Sequence, residues 1–294
     1  MSVGLSTKKC LICRRPNDTL NWHEGENDGM PWVFCMGTCQ RAYSIYEYTA
    51  TAGISLGEFL KNKFEIKEAP PNEVRKMEWP ATFIPLFDKR AKPAIEYLTS
   101  RGIDIDDGMY YDTWRQGIVF PYFYDSVFVG AQIRLIEPRI DENGNEHKIE
   151  TIPGTRTGLL FYGWNQSPLM PGVKGIILTE GAFNSLCISQ ALNKVYGGIV
   201  NNPWRCIAGS GSGATKHQIA TIKELKESGL KIVVASDSDE AGIRCFEKFS
   251  KADAITHYAF TEDPDEDWND VSKRLGKEEF ASWFLKRIHN VQST

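Results

Sequence analysis

The first 62 residues hold few large aliphatic side chains but end in an amphipathic pattern from Ala42 to Leu60, and further regular apolar patterns follow later in the chain. Pro93–Leu98 has helical spacing and is followed by Arg101-Gly102, a common helix end. Two β-rich runs, Gly117–Tyr122 and Ser126–Arg134, then flank Asp125 and predict a hairpin. The middle of the chain is therefore predicted to be a mixed α+β region with an antiparallel sheet.

After Pro171-Gly172, short apolar runs alternate with helical patterns. The predicted strands are 175–179, 195–199, 231–235 and 254–258, and the predicted helices are 182–192, 216–228, 242–250 and one or two within 271–288. Strands that alternate with helices in this way form parallel βαβ units. The fold class expected for the chain as a whole is therefore α/β.

Composition and charge narrow the class of protein. The chain has 294 residues, of which 41% are hydrophobic, and a net charge of −4, so it is expected to be globular and not to coat duplex nucleic acid by bulk attraction. Met1–Lys9 lacks the apolar core of a secretory signal, and no apolar run reaches the length of a membrane span. We expect a cytoplasmic protein without membrane contact.

Four of the seven cysteines crowd the N-terminus as two pairs, Cys10/Cys13 and Cys35/Cys39. Two such pairs supply the four thiolates of a closed tetrahedral zinc site. A unit of about 50 residues with so few aliphatics needs such a metal to hold it together. We therefore predict an N-terminal ribbon domain with one structural zinc ion.

Carboxylates followed by glycine end two of the predicted strands. Glu180-Gly181 follows one strand, and Asp237 and Asp239 precede Gly242 after another. Ligands bind at the carboxyl ends of strands in open parallel sheets, so the three acids are predicted to meet in one crevice. Oxygen ligands that would otherwise repel each other suit magnesium or manganese. In addition, the glycine-rich loop 208–216 precedes a helix, and its backbone amides together with Lys216 could hold phosphate.

The two strand-end motifs in this order resemble the Toprim domain of primases, topoisomerases, recombination mediators and some nucleases. With the cysteine pairs and the middle region, the chain resembles DnaG-type primases, most closely the compact primases of tailed phages. The implied domains are a zinc ribbon (1–62), a linker (63–80), the first polymerase subdomain (81–170), the Toprim domain (171–262), and an acidic loop with a helical tail (263–294).

The resemblance also implies functional residues and partners. Glu180, Asp237 and Asp239 would be catalytic and hold two magnesium or manganese ions, with help from Asp265, Asp267 or Asp270. Arg134 and Lys148 would contact nucleotide or template. The implied activity is a DNA primase, which joins ribonucleoside triphosphates into RNA primers on single-stranded DNA. The zinc ribbon would select the start site, and the other partners would be a replicative helicase supplied in trans and a single-stranded-DNA-binding protein, in the host cytoplasm if a phage encodes the chain.

Two departures from the family pattern stand out: Cys35 and Cys39 are three residues apart instead of two, and Asn184 replaces an aspartate that many primases carry. The alternatives to a primase are a non-catalytic, RecR-like recombination mediator and a Toprim nuclease. In RecR-like proteins the zinc motif adjoins the Toprim domain, whereas about 130 residues intervene here. A nuclease would not explain the ribbon, and a topoisomerase would need gate domains that this length does not hold.

Overall fold

In the computed structural model the described residues are 20–23, 32–35, 41–44, 48, 50–51, 74–106, 108–124, 126–142, 144–164, 172–209 and 213–291. The chain divides into two compact units, Met1–Glu73 and Val74–Thr294. The mixed α/β class is confirmed in the second unit, which holds both an antiparallel and a mainly parallel sheet. None of the helices in the described ranges combines the length and apolarity needed to cross a bilayer.

The first unit contains a three-stranded antiparallel sheet of β1 (Leu20–His23), β2 (Trp32–Cys35) and β3 (Arg41–Ser44). Tyr43 of β3 is buried and meets the ring of Tyr48 edge-on, with 5.8 Å between centroids. Cys35 is the last residue of β2. Cys10, Cys13 and Cys39 lie outside the described residues, so the zinc site stays a prediction.

The second unit begins with an antiparallel sheet in the order β4-β5-β6-β7-β8. Its strands are β4 (Phe83–Pro85), β5 (Tyr110–Asp112), β6 (Gly117–Tyr124), β7 (Val127–Ile140) and β8 (Glu146–Thr151), and helix α1 (Lys92–Ser100) follows β4. The predicted hairpin is confirmed as β6 and β7, with Ile118 opposite Arg134. The predicted linker 63–80 extends into this packed region, because the Met77 amide donates to the Phe128 carbonyl and the ring of Trp79 lies against Phe83.

The second sheet has the order β10-β9-β11-β12-β13, and its first four strands are parallel. They are β9 (Gly175–Thr179), β10 (Trp204–Ala208), β11 (Lys231–Ser236), β12 (His257–Phe260) and the short antiparallel β13 (His289–Asn290). The helices are α2 (Ala182–Tyr196), α3 (Lys216–Glu227), α4 (Glu240–Lys251), α5 (Trp268–Leu275) and α6 (Lys277–Lys286). The predicted βαβ order and the helical tail are confirmed.

One predicted strand, 195–199, is wrong. Its first residues end helix α2, and the chain then turns through Gly197 and Gly198, whose φ angles are 72° and 118°. Glycine adopts such left-handed angles without steric cost, so this pair terminates the helix. The strand of this region is β10, which starts at Trp204 and runs up to the glycine-rich loop.

A shared core joins the two sheets. Buried side chains of α1 and β6, such as Leu98 and Phe120, belong to the same cluster as Ile177 of β9 and Phe183 of α2. Helices α5 and α6 add Trp268, Phe280 and Phe284, none of which is exposed. Because this continuous core spans both sheets, it fixes the antiparallel sheet against the parallel one. The remaining cysteines, Cys187, Cys206 and Cys245, are buried free thiols.

Candidate active site

The backbone brings two of the predicted acids to one edge of the parallel sheet. Strands β9 and β11 are adjacent and parallel, and Thr179 lies opposite Ala235. Glu180 directly follows β9, and Asp237 directly follows β11. The carboxyl ends of neighbouring parallel strands lie side by side, so both carboxylates enter the same space.

Gly242 permits this close approach. It lies in the first turn of α4, and a Cβ atom there would be 2.0 Å from the Asp237 carbonyl oxygen and 2.8 Å from Glu180 Oε1. The Gly242 amide donates to Asp239 Oδ1 at 2.7 Å, which makes Asp239 the N-cap of the helix. A residue without a side chain is therefore needed where the helix meets the acids.

The acids open into a crevice of about 240 Å³ between the two sheets. The residues that line it are Arg101, Phe120, Gln132, Arg134, Ile149, Glu180, Gly181, Ala182, Phe183, Asn184, Gly209, Asp237 and Asp267. Its two walls differ in chemistry. Glu180, Asp237 and Asp267 form an acidic wall, whereas Arg101, Arg134 and side chains of the antiparallel sheet form a wall of cationic and apolar groups.

The three acids of the acidic wall resist ionisation. Burial and then the charges of Glu180, Asp267 and Asp239 raise the pKa of Asp237 to about 7. Burial and the charge of Asp239 raise the pKa of Glu180, and burial is also the largest cause of the raised pKa of Asp267. Several carboxylates that share a partly buried site in this way are typical of a functional site.

Asn184 supports Asp237 directly. Its Nδ2 lies 3.2 Å from Oδ1 and 3.3 Å from Oδ2 of Asp237, and its side chain is buried at the start of α2. This hydrogen bond lowers the pKa of Asp237 and partly opposes the causes that raise it. An aspartate at this position would instead add a further negative charge.

Of the acids after β12, Asp267 is the one that lines the crevice. It is the N-cap of α5, because its Oδ1 accepts from the Asp270 amide at 2.8 Å. Asp265 is exposed, and Asp270 lies in the first turn of α5, outside the crevice lining. Asp267 differs from its acidic neighbours in one feature that the sequence shows: it directly precedes the first helix after the last parallel strand, at the N-cap position.

The donor set fits a hard divalent cation. Glu180 Oε1 is buried and has no hydrogen-bond partner among the described residues, which is costly unless a positive charge compensates it. Within the described ranges, no three His, Cys, Asp or Glu side chains lie close enough together to hold an ion. Magnesium commonly takes only one or two carboxylates and completes its shell with water and substrate phosphates, so the arrangement suits it.

The predicted basic residues differ in position. Arg134 lies in the crevice, where its Nε donates to the Tyr97 hydroxyl at 3.3 Å. Lys148 is on the exposed strand β8 and pairs with Glu146 at 2.7 Å, and Lys216 is the exposed first residue of α3. Neither lysine lines the crevice. Their predicted roles stay predictions.

Sequence reasoning missed Arg101, Phe120, Gln132, Ile149 and Phe183 as crevice residues. Phe120 pairs with Gln132, and Arg134 pairs with Ile149, so these four share one face of the antiparallel sheet. The alternation of strands β6 and β7 could have placed them on a common face. No local pattern tells which face meets the acids.

Comparisons with known proteins agree with this architecture. A family model described as Toprim-like matches residues 177–272, which include Glu180, Asp237, Asp239 and Asp267. No curated protein matches the chain.

Similar solved structures include the RNA polymerase domain of Mycobacterium tuberculosis primase DnaG, with a TM-score of 0.51 and 18% identity over 69% of this chain and 78% of that one. The same domain in complex with a double-stranded DNA oligomer with a 6-nucleotide overhang has a TM-score of 0.51 and 17% identity, over 70% and 76% of the two chains. A structure of the DnaG catalytic core has a TM-score of 0.50 and 17% identity, over 70% and 76%. Residues 177–272 are thus Toprim-like, and the chain shares the fold of DnaG catalytic cores.

Proposed function

We propose that the protein is a DNA primase, a nucleotidyltransferase that joins ribonucleoside triphosphates on a single-stranded DNA template. The observation that carries the proposal is the crevice, in which strand-end acids of a Toprim-like domain face two arginines across a gap of about 240 Å³. Acids that hold divalent cations opposite groups that hold phosphates are the parts needed for nucleotidyl transfer.

We assign the acidic wall to magnesium or manganese. Glu180 and Asp237 would hold the ions, and Asp267 would contribute from the N-terminus of α5. Bound ions would supply the charge that activates the 3′-hydroxyl of the primer and stabilises the pyrophosphate that leaves. Asn184 would orient Asp237 through its amide. The charge of Asp239 raises the pKa of both Glu180 and Asp237, and its side chain caps the N-terminus of α4.

The opposite wall would bind the substrates. The guanidinium of Arg134 would contact phosphate while Tyr97 holds its Nε. Phe120, Ile149 and Phe183 offer apolar surface on which a base can lie, and Gln132 offers an amide for hydrogen bonds. Because the two walls come from different sheets, the shared core must keep them in register.

The alternatives receive less support. A Toprim nuclease or a mediator that only clamps DNA could use the acidic wall. Neither needs a cationic and apolar wall built by an antiparallel sheet ahead of the Toprim-like domain. The likeness in fold to DnaG cores extends over about 70% of the chain and so includes more than the Toprim-like residues.

Primer synthesis by the full chain tests the proposal. The protein is incubated with mixed-sequence single-stranded DNA, magnesium and labelled ribonucleotides, and products are resolved on a denaturing gel. We expect short RNA products that Asp237→Asn reduces by at least about 100-fold, since the change weakens charge stabilisation worth several kcal/mol. Asp253→Asn is the matched control, because Asp253 is an exposed carboxylate paired with Lys226 away from the crevice.

Other outcomes would point elsewhere. Cleavage of the DNA without RNA synthesis would favour the nuclease, and binding without either reaction would favour the mediator. The reaction is repeated with a replicative helicase, because we infer that such a helicase and a single-stranded-DNA-binding protein act with this chain. Priming that is equally efficient with and without helicase would contradict that partner.

The zinc ribbon belongs to the proposal as well. We infer that Cys10, Cys13, Cys35 and Cys39 hold one zinc ion and that the ribbon selects the template start site. Elemental analysis of the purified chain is expected to find one zinc per protein, and a Cys10→Ser/Cys13→Ser variant should lose it. Full zinc content in that variant would contradict the assignment.

A further inference from the structure

Gln132 is held in a fixed orientation at the crevice. The hydroxyl of Tyr122 donates to Gln132 Oε1 at 2.9 Å, and Gln132 Nε2 donates to Thr151 Oγ1 at 3.4 Å. Tyr122 is 1% exposed, so its packed ring keeps the hydroxyl against the amide. The amide oxygen is therefore engaged by a buried side chain, and the amide nitrogen is the group that Gln132 offers to a ligand.

This amide nitrogen has a hydrogen to spare. A glutamine Nε2 carries two hydrogens, and the contact with Thr151 uses one of them. Thr151 is the only acceptor that bonds to Nε2 in the part of the chain that the structure describes. Gln132 is half-buried and lines the crevice, where a polar hydrogen without an acceptor costs free energy. An acceptor on a bound ligand would complete the side chain.

Strand pairing places this donor between groups of two kinds. Gln132 lies opposite Phe120 of β6, and Arg134 is two residues further along β7 on the same face of the sheet. Two residues of a strand span about 7 Å. In the proposed function Arg134 contacts phosphate, and the apolar surface that includes Phe120 holds the base. Gln132 then lies beside the sugar that links phosphate and base.

The sugar carries an acceptor that suits the amide. An anionic phosphate is matched best by a guanidinium, whereas a neutral amide N–H suits the oxygen of a neutral hydroxyl. Ribose and deoxyribose both carry a 3′-hydroxyl in a nucleotide, so only a contact with the 2′-hydroxyl tells the two sugars apart. Because Tyr122 fixes the amide, the donor of Gln132 stays unpaired when that hydroxyl is missing.

We propose that Gln132 selects ribonucleotides by donating a hydrogen bond from Nε2 to the 2′-hydroxyl of the incoming nucleotide. Tyr122 is the positioning residue, because it holds Oε1 and so leaves Nε2 to face the sugar. The inference rests on the proposed primase function and adds to it a residue that determines sugar specificity.

Equilibrium binding to the full chain in magnesium tests this role without relying on turnover. The probes are ATP, 2′-deoxy-ATP and 3′-deoxy-ATP, each titrated into wild type, Gln132→Met and Tyr122→Phe. Methionine keeps the length of the side chain but has no donor, and phenylalanine keeps the buried ring. Gln116→Met and Tyr124→Phe make the same changes at exposed residues outside the crevice lining and are the controls. The fold of each variant is checked by its melting temperature.

Wild type should bind ATP and 3′-deoxy-ATP at least about 5-fold more tightly than 2′-deoxy-ATP, the value of one hydrogen bond between neutral groups. Gln132→Met should lose this preference, while its affinity for 2′-deoxy-ATP stays within about 2-fold of wild type, since that nucleotide makes no bond to the amide. Tyr122→Phe should keep part of the preference, and both controls should match wild type. In primer synthesis the ratio of kcat/KM for ATP to that for 2′-deoxy-ATP should fall in the same order.

Four results would overturn the inference. A wild type that binds ATP and 2′-deoxy-ATP equally has no sugar selection to explain. An unchanged preference in Gln132→Met would remove the residue from the sugar site. An equal loss of all three nucleotides would assign the amide to the base or to the packing of the crevice. A loss of ATP and 2′-deoxy-ATP that spares 3′-deoxy-ATP would assign it to the 3′-hydroxyl.

These results separate the inference from the proposed function. A wild type that primes while Gln132→Met keeps the full preference for ATP refutes the role of Gln132 alone. A wild type that neither primes nor binds nucleotide refutes the proposed function too.

Discussion

The two walls of the crevice are built in different ways. The acidic wall comes from residues at the ends of elements, with Glu180 after β9, Asp237 after β11 and Asp267 at the start of α5. In the opposite wall, Phe120 and Arg134 lie within the long strands β6 and β7, while Arg101 caps the C-terminus of α1. The carboxylates of the acidic wall repel each other, and the arginines of the opposite wall form no ion pair among the described residues. Each wall is electrostatically incomplete alone, so a ligand that brings cations and phosphates together satisfies both.

The largest effect is expected from removing the close approach behind the acidic wall. Gly242→Ala places a methyl group 2.0 Å from the Asp237 carbonyl oxygen and 2.8 Å from Glu180 Oε1, so the loop after β11 must move. Primer synthesis should fall by at least about 100-fold, because displaced ligands lose charge stabilisation worth several kcal/mol. Ile243→Ala, on the exposed side of the same helix, is the control and should remain active. Normal activity of Gly242→Ala would show that the acids tolerate displacement.

The second effect concerns the stability of the metal-free protein. The pKa of Asp237 is raised to about 7 in the folded state, so the folded chain binds the proton more tightly than the unfolded chain does. Its contribution to the free energy of unfolding is full below about pH 4 and is lost as the pH rises to about 7 and above.

Asp237→Asn should therefore gain stability over wild type as the pH rises from 5 to 8 in EDTA, by on the order of 2 kcal/mol. Urea unfolding at each pH measures the difference. Magnesium at pH 8 should stabilise wild type and have little effect on the variant, because the variant lacks the charge that the ion neutralises. A constant difference between the two proteins across this pH range would contradict the assigned burial of Asp237.

A smaller effect should follow from loss of the amide that orients Asp237. Asn184→Ala removes the hydrogen bonds to both carboxylate oxygens, and we expect kcat to fall by about 10-fold, the value of one hydrogen bond to a charged group. Asn184→Asp should raise the pKa of Asp237 further and shift the pH–rate profile to higher pH. Asn201→Ala, in the exposed turn after α2, is the control. A profile that does not move in Asn184→Asp would separate this residue from Asp237.

The smallest effect is expected on the opposite wall. Tyr97→Phe removes the hydroxyl that accepts from Arg134 Nε but keeps the ring against Phe183. We expect the KM for ribonucleotides to rise about 3-fold with little change in kcat, since only the orientation of Arg134 is loosened. Tyr124→Phe, on an exposed residue at the end of β6, is the control. A fall in kcat with unchanged KM would place Tyr97 in a role other than the support of Arg134.

Local sequence patterns predicted most of the second unit. The hairpin around Asp125, the βαβ order and the tail helices follow from apolar periodicity, because burial on one face imposes that period on each element. The strand predicted at 195–199 is wrong because Gly197 and Gly198 turn the chain at the end of α2, although the flanking Val195 and Ile199 are β-branched. At this point the left-handed glycine turn ends the helix, and the β propensity of the flanking residues does not produce a strand.

The sequence by itself predicted two members of the acidic wall, because Glu180 and Asp237 follow strands whose positions are given by local periodicity, whereas Asp239, predicted with them, caps α4 and does not line the crevice. It also indicated the acidic segment that contains Asp267. Only the tertiary structure decided which of those later acids faces the crevice and which cations oppose it. Arg101, Tyr97 and Arg134 come together through a shared core that joins two sheets. Contacts between residues so far apart in sequence depend on how the elements pack, and packing leaves no periodic signal in the chain.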